Sequence, residues 1–316
     1  MNLRILTLLI WVSAIACYSQ NEQIANSRFQ KLWSDFDLNY SYFKEKNIDW
    51  DSIKKVYSTK FSKRLTAKKE ALLFAEVIGC LKDCHVSLTT SYGVYRYSKL
   101  QNTSKEEGFK KLFPTVVFTN KAADMLMNSD SVLLLRIKSL GAEIIFNNRF
   151  WNNISKSKGL IVDLSDNYGG NEKYARNFVQ RFVKDTITFK SVRYTTGEGR
   201  NHFTDWVNAK LVPDHCIFYS KPLVTIINAN CFSSTEAFAL MLKSIPGCTL
   251  IGVNTGGASG FPENFVLDNG WSYTISTWQE ADVEHNLIED KGVAPHKVIP
   301  MELKYSLALK EILKAN

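Results

Sequence analysis

The sequence predicts an α/β core preceded by a helical N-terminal unit. Up to about residue 85 the apolar residues recur at helical spacing, and from about 131 to 255 short β-branched runs alternate with helical segments. Alternation of that kind builds a sheet with helices packed on it. The composition agrees, since 45% hydrophobic and 22% charged residues in a chain of 316 can bury a full core. Net charge is +8, from 39 basic and 31 acidic residues. The basic residues are spread along the chain rather than clustered, so nucleic-acid binding is not expected.

Residues 1–20 stand apart. Arg4 precedes an apolar run from Ile5 to Ala16, with small residues after it. The run is too short for a spanning helix and reads as a secretory signal peptide, which makes the protein exported, periplasmic or extracellular. Two cleavage readings compete. Ala14-Ile15-Ala16 before Cys17 could be a lipobox-like site, leaving Cys17 lipidated on a bacterial membrane, whereas cleavage after Ser19 or Gln20 releases a soluble protein. The weak Ala14 at the lipobox position favours the soluble form. Cys80, Cys84, Cys216, Cys231 and Cys248 remain, an odd number with no zinc-site or disulfide-framework spacing. Export raises the chance of one bridge, but the sequence does not choose the pair.

Phe29, Leu32, Trp33, Phe36, Tyr40 and Phe43 mark the first helical stretch. Asp49 or Asp51 caps a second helix containing Ile53, Val56 and Tyr57; Thr66 caps a third, with Leu72, Leu73, Val77, Cys80 and Leu81 inward. Aromatic stripes of this kind are read as packing. His85 follows at a helix-to-strand junction, preceded by Asp83. Taken alone it is more simply a structural histidine than a chemical one.

Residues 89 to about 130 show no clear periodicity apart from Thr115 to Phe118. Ser131 to Ile137 is a strand, Ala142 to Ile154 a helix, and Gly159 to Leu164 a buried strand. That strand runs into Ser165-Asp166-Asn167-Tyr168-Gly169-Gly170-Asn171, then a helix with Tyr174, Phe178 and Phe182 on one face. Paired glycines after a buried strand imply close backbone approach or positive φ, with N–H groups aimed above the strand end. The loop is neither a Walker A motif nor a dinucleotide fingerprint. A tight turn is its plain reading and an anion hole its chemical one.

Two or three short strands follow over 186–220 (Thr186 to Phe189, Ser191 to Thr195, Cys216 to Tyr219). Leu223 to Ile227 is a fully buried strand, after which Asn228, Asn230, Ser233, Ser234 and Thr235 lead into a helix with Phe238, Leu240, Met241 and Leu242 on its apolar face. A serine where a buried strand turns into a helix has an exposed hydroxyl, a positive helix end and free N–H groups beside it. Those are the needs of a nucleophile and of its oxyanion. The plain reading makes the same residues N-caps. Cys248 to Val253 is another strand. Asn264 to Leu267 and Trp271 to Ser276 flank Asp268-Asn269-Gly270, a type I′ hairpin signal. The chain ends with Ile288-Glu289-Asp290-Lys291-Gly292-Val293-Ala294-Pro295-His296 and a short helix.

Four motifs now stand in order: GLIVDLSDNYGG, PLVTIINANCFSSTEAFALML, IGVNTGGASG and IEDKGVAPH. Together they resemble the S41 serine peptidases, the family of the C-terminal processing proteases and the tricorn core protease. FQKLWSDFDLNYSYFKEKNIDWDSIKKVY with LKDCHVSL resembles the helical N-terminal part of the tricorn-like branch. The resemblance covers about residues 28–90 and 131–300. It implies a crotonase-like (ClpP/crotonase-type) catalytic core behind an N-terminal helical domain. The corresponding division is 1–20 signal peptide, 21–100 helical domain and 101–316 peptidase-like α/β core.

In that family the nucleophile lies in an S-x-[ST]-E segment, which Ser233-Ser234-Thr235-Glu236 matches, so the resemblance makes Ser233 the nucleophile. Processing proteases pair this serine with a lysine in T-F-G-K. Thr255-Gly256-Gly257-Ala258 stands there, which excludes a Ser–Lys dyad. The tricorn-like branch uses a histidine from the helical unit and a glutamate ahead of G-V-x-P, matched by His85 and Glu289. The implied chemistry is coherent: His85 takes the serine proton, Glu289 orients the imidazole, and N–H groups of Gly169, Gly170 or Ser234 bind the oxyanion. His202, His215 and His285 are rival bases and Asp290 a rival to Glu289.

Residues 90–130 are too few for the PDZ domain that the family often inserts, so none is expected. The family's aspartate after G-V-x-P is His296, and the arginine of D-L-R-x-N is Ser165. No metal or cofactor is expected; the partner is a polypeptide substrate. The alternative is a non-catalytic S41-fold module binding an apolar ligand or polypeptide, for which Tyr92, Tyr95, Phe261 and Trp278 could line a pocket. A crotonase-type acyl-CoA enzyme is a further rival on fold class alone, opposed by the leader.

Overall fold

The fold is taken from a computed structural model, which describes residues 23–101, 108–144, 147–214 and 219–315. The signal-peptide reading, Cys17, His215 and Cys216 lie outside the described residues. In chain order the elements begin with α1 (23–39), α2 (Trp50–Phe61), α3 (Ala67–Gly79), β1 (Ser87–Thr90), β2 (Gly93–Arg96) and α4 (Phe109–Leu112). Next come β3 (Thr115–Thr119), β4 (Ala123–Met127), β5 (Val132–Ile137), α5 (Asn148–Lys156), β6 (Gly159–Asp163), α6 (Glu172–Val179), β7 (Ile187–Tyr194) and β8 (Val207–Leu211). The last are β9 (Leu223–Ile227), α7 (Ser234–Lys243), β10 (Cys248–Gly252), β11 (Pro262–Val266), β12 (Ser272–Ser276), β13 (Trp278–Ala281), β14 (Lys297–Val298) and α8 (Lys304–Lys314).

The chain folds as two compact units, neither of them continuous in sequence. The smaller takes residues 23–98, Arg193–Asp205 and Gly260–Gln279; the larger takes the rest. In the smaller unit the helical stripe behaves as its spacing requires, with Phe29, Leu32 and Phe36 fully buried. Asp49 caps α2 by accepting the Ser52 N–H at 3.0 Å, and Thr66 caps α3 by accepting that of Lys69 at 3.4 Å. Phe29 stacks on Phe61 with ring centroids 4.6 Å apart, and Phe61 meets Phe74 at 4.7 Å. Arg200 bonds Asp37 and Asp51, which ties the 193–205 segment to α1 and α2. A four-stranded antiparallel sheet, in the order β11-β12-β1-β2, completes the unit.

The larger unit is built on a seven-stranded sheet ordered β14-β10-β9-β6-β5-β4-β3. The run from β14 to β5 is parallel, and β4 and β3 add antiparallel at one edge. Its central strands read as unbroken apolar runs because both faces are covered. On β5, Leu133 and Leu135 join a core with Phe150, Phe178 and Phe238, from the face that α5, α6 and α7 cover. Val132 and Leu134 point the other way, into a core with Phe109, Tyr305 and Ile312 of α4 and α8. The mixed α/β architecture with N-terminal helices is therefore as the alternation predicts.

Several elements differ from the sequence reading. The helix expected from Ala142 begins at Asn148, capped by Asn147. Leu140 is instead drawn into a parallel bridge with Gly170, donating its N–H to Gly169 O at 3.2 Å. The two strands expected over 186–195 are one strand whose register shifts between Thr188 and Lys190. The 268–270 turn is not type I′, since only Gly270 has positive φ, at 80°. The Gly270 N–H returns to Leu267 O at 3.0 Å, the geometry of a type I turn closed by a left-handed glycine. In the hairpin of β3 and β4, β3 falls on the Thr115 to Phe118 run that stands out in the sequence, while β4 has no counterpart in the expected elements. Cys80, Cys231 and Cys248 are free thiols.

Candidate active site

Three loops leave the C-terminal ends of the adjacent strands β6, β9 and β10, where ligands of parallel sheets characteristically bind. The β9 loop carries Ser233 into α7. Ser233 has φ 57° and ψ −130°, a left-handed conformation that serine adopts at a cost of about 1–3 kcal/mol. The bend is held from both sides. Phe232 donates its N–H to Asn167 O at 3.2 Å, and Cys231 Sγ–H donates to Leu164 O at 3.0 Å. On the other side, Gly256 donates to Cys231 O at 2.9 Å and Ser233 to Ala258 O at 3.0 Å. Burial pushes the Cys231 thiol far above its ordinary range, so it acts as a neutral donor. Ser233 and Ser234 remain partly exposed while Thr235 and Glu236 are buried.

The β6 loop brings its two glycines against this bend. Gly169 has φ 97°, and a Cβ there would lie 2.8 Å from both Ser233 Cβ and Phe232 O. The expected close approach is thus to the serine itself. Gly169 N–H donates to Asn167 Oδ1 at 3.0 Å, while the buried Asn167 is anchored by Nδ2 to Ile137 O at 3.0 Å. Among the described residues no acceptor takes the N–H of Gly170 or of Ser234. Ser234 Oγ donates to Gly170 O at 2.7 Å, joining the two loops.

The β10 loop holds two carboxylates. Glu236, three residues into α7's first turn from Ser233, is fully buried. Its Oε1 accepts Thr255 Oγ–H at 2.6 Å and Gly257 N–H at 2.8 Å; its Oε2 accepts Ala258 N–H at 2.8 Å and Ser233 N–H at 3.2 Å. Burial pushes its carboxyl up to about 7, against the pull of those donors toward the ionised form. Glu289 is 4% exposed and its Oε2 accepts the Ser259 N–H at 2.9 Å. The rival Asp290 is exposed and paired with Lys99. Ala258, at the family's lysine position, is 1% exposed.

His85 belongs to the smaller unit. Its backbone N–H donates to Asp83 Oδ1 at 2.8 Å, and its backbone carbonyl accepts Thr274 Oγ–H at 2.7 Å. Asp83 is itself buried and accepts Tyr40 O–H at 3.1 Å and Ser276 O–H at 2.9 Å. Burial lowers the His85 pKa and the Asp83 charge opposes that only in part, so the imidazole is neutral at pH 7. His202 and His285 are exposed. His296, at the family's aspartate position, accepts the Leu250 N–H on Nδ1 at 2.9 Å and serves the sheet edge. Ser165, at the arginine position, accepts Lys304 Nζ–H at 2.8 Å. Tyr92 packs edge-on against Trp271, and Phe261 lies 5.1 Å from Trp278 between centroids. The described residues contain no cluster of side chains suited to a metal ion, and no helix among them is long and apolar enough to cross a membrane.

Serine at a strained strand-to-helix bend, beside a glycine loop and buried carboxylates, is the constellation of acyl-transfer hydrolases. The family model of peptidase family S41 matches residues 132–299, and that of the tricorn protease C1 domain matches residues 23–79. The chain belongs to peptidase family S41. The crystal structure of a candidate peptidase from Parabacteroides merdae superposes with a TM-score of 0.79 at 25% identity, over 92% of this chain and 95% of that one. Mature CPAF complexed with lactacystin superposes with a TM-score of 0.66 at 13% identity, over 94% and 98%, a likeness of fold. An uncharacterised protein of Chlamydia muridarum is 36% identical over 94 residues, 29% of this chain and 16% of that protein.

Proposed function

We propose that the chain is an exported serine peptidase acting through an acyl-enzyme at Ser233. The observation that carries the reading is the Ser233 bend. A partly exposed serine in left-handed conformation heads a helix, with the unclaimed N–H groups of Gly170 and Ser234 beside it. The hydroxyl proton passes to His85 as oxygen attacks the substrate carbonyl, and the tetrahedral oxyanion takes hydrogen bonds from Gly170 and Ser234. The positive end of α7 favours the same negative charge. His85 then returns the proton to the departing amine, leaving an ester on Ser233 that water hydrolyses by the reverse sequence. Glu289 would hold the imidazole tautomer and balance its charge. Gly169, whose N–H is engaged by Asn167, acts by letting the loop approach the serine. A neutral His85 suits this role because a protonated imidazole accepts nothing.

The test is hydrolysis of unfolded casein by the mature protein and by Ser233→Ala. The variant is expected to lose turnover by about 10⁴-fold or more while keeping its circular dichroism spectrum. Cleavage at the wild-type rate by folded Ser233→Ala would sink the proposal.

A further inference from the structure

We propose that Glu236 is the positioning residue of this site: its carboxylate locks the 255–258 loop to the Ser233 bend and, through that loop, sets the place of Glu289. The inference deepens the peptidase reading and rests on it for its kinetic arm alone.

A glutamate three residues after an N-cap serine ordinarily accepts one N–H, that of the cap residue. Glu236 accepts that N–H and three further donors from Thr255, Gly257 and Ala258. A carboxylate has about four lone-pair sites, so both oxygens are fully used. The Thr255 oxygen also accepts the Val293 N–H at 2.6 Å. The other three partners are backbone N–H groups, which only donate, and they fall on both oxygens: Gly257 on Oε1, Ala258 and Ser233 on Oε2. An amide in place of the carboxylate therefore sets its NH₂ against at least one of them.

The loop passes the restraint on. Three consecutive N–H groups point at buried carboxylates: those of Gly257 and Ala258 at Glu236, and that of Ser259 at Glu289. Gly257 makes the turn with φ 68°, and a Cβ there would lie 2.8 Å from the Asp290 and Lys291 backbone. The Asp290 N–H donates to Gly257 O at 3.0 Å, so the residue after Glu289 is bound to the same loop. Ser233 shares its N–H between Glu236 and Ala258 O. Moving the carboxylate thus moves both the serine backbone and the segment bearing Glu289.

The experiment uses the mature protein and a fluorophosphonate, which phosphonylates an activated serine, with kinact and KI measured separately. Glu236→Gln is expected to lower kinact about 10- to 100-fold with KI within about twofold, since misplacement by a fraction of an ångström costs that much in the chemical step. Amide NMR supplies the second readout: the Ser259 N–H, which Glu236 does not touch, should shift in Glu236→Gln along with those of Gly257 and Ala258. A folded Glu236→Gln with wild-type kinact, or with an unmoved Ser259 signal, overturns the proposal. If that variant does not fold, Thr255→Ser and Thr255→Val decide. Serine keeps the O–H donor and should keep kinact, valine should lose it, and equal values overturn the proposal. If the wild-type protein takes no label, the peptidase reading fails and the amide shifts alone decide the clamp.

Discussion

Gly169→Ala tests whether the glycine loop works by approach to the serine. The added methyl would sit 2.8 Å from Ser233 Cβ and Phe232 O and 3.2 Å from Ser234 N, where ordinary contacts begin near 3.4 Å. Two terms add. Holding alanine at φ 97° costs about 1–3 kcal/mol. Forcing the bend aside costs a further 1–3 kcal/mol or about that. The sum centres near about 4 kcal/mol, a fall in Tm of about 8–16 °C for a unit of this size. Gly247→Ala is the control, because Gly247 has φ 84° but open space around the new methyl. It carries only the conformational term, about 2 kcal/mol or about 4–8 °C. Scanning calorimetry gives both values, and fluorophosphonate labelling gives the functional arm. Gly169→Ala should slow labelling because Ser233 must shift, whereas Gly247→Ala should leave it unchanged. Equal Tm losses for the two variants, with wild-type labelling by Gly169→Ala, would refute the reasoning.

Two further predictions concern charge. Because burial depresses the His85 pKa below its ordinary 6.5, the acid limb of the labelling rate should lie below pH 6.5. The folded state then binds fewer protons than the unfolded one, so His85 contributes stability above about pH 6.5 that is lost as pH falls toward its folded pKa. Urea titrations across that window should show a steeper acid loss for wild type than for His85→Gln. The buried Lys190 ammonium bonds Glu172 at 2.7 Å and Glu280 at 3.2 Å, with Glu280 4% exposed. Lys190→Met strands the Glu280 charge and should cost about 3–5 kcal/mol by urea denaturation, and Lys190→Met with Glu280→Leu should lose clearly less.

Much of this architecture was legible because local signals and burial agree. The runs at Val132–Ile137, Gly159–Asp163 and Leu223–Ile227 are apolar on both faces since helices cover both, and such runs read as strands without context. The strand-to-helix junction at Ser233 was legible from the apolar run before it and the capping residues that lead into α7. What escaped the sequence depends on distant partners. The helix expected from Ala142 starts only at Asn148, and just before that stretch Leu140 bridges Gly170, thirty residues on, a pairing that no local propensity encodes. The β3–β4 hairpin carries Met125 and Leu126 facing opposite cores, a pattern too short to register. Glu236 announces itself only as a capping-box glutamate; its three other donors come from a loop about twenty residues away. The spacing S-x-x-E held the signal, but its fourfold use is a property of packing. The family pattern ahead of G-V-x-P is what prefers Glu289 to Asp290; that it is the buried one of the two acids is a matter of packing, which adjacent acids in sequence do not reveal.

The most direct measurement is peptide mapping of the mature protein after fluorophosphonate treatment. An activated Ser233 predicts a single phosphonyl adduct on the peptide containing Cys231-Phe232-Ser233-Ser234, absent in Ser233→Ala and strongly reduced in His85→Ala. An adduct on any other serine, or none on protein shown to be folded, would contradict the assignment of Ser233 as the nucleophile.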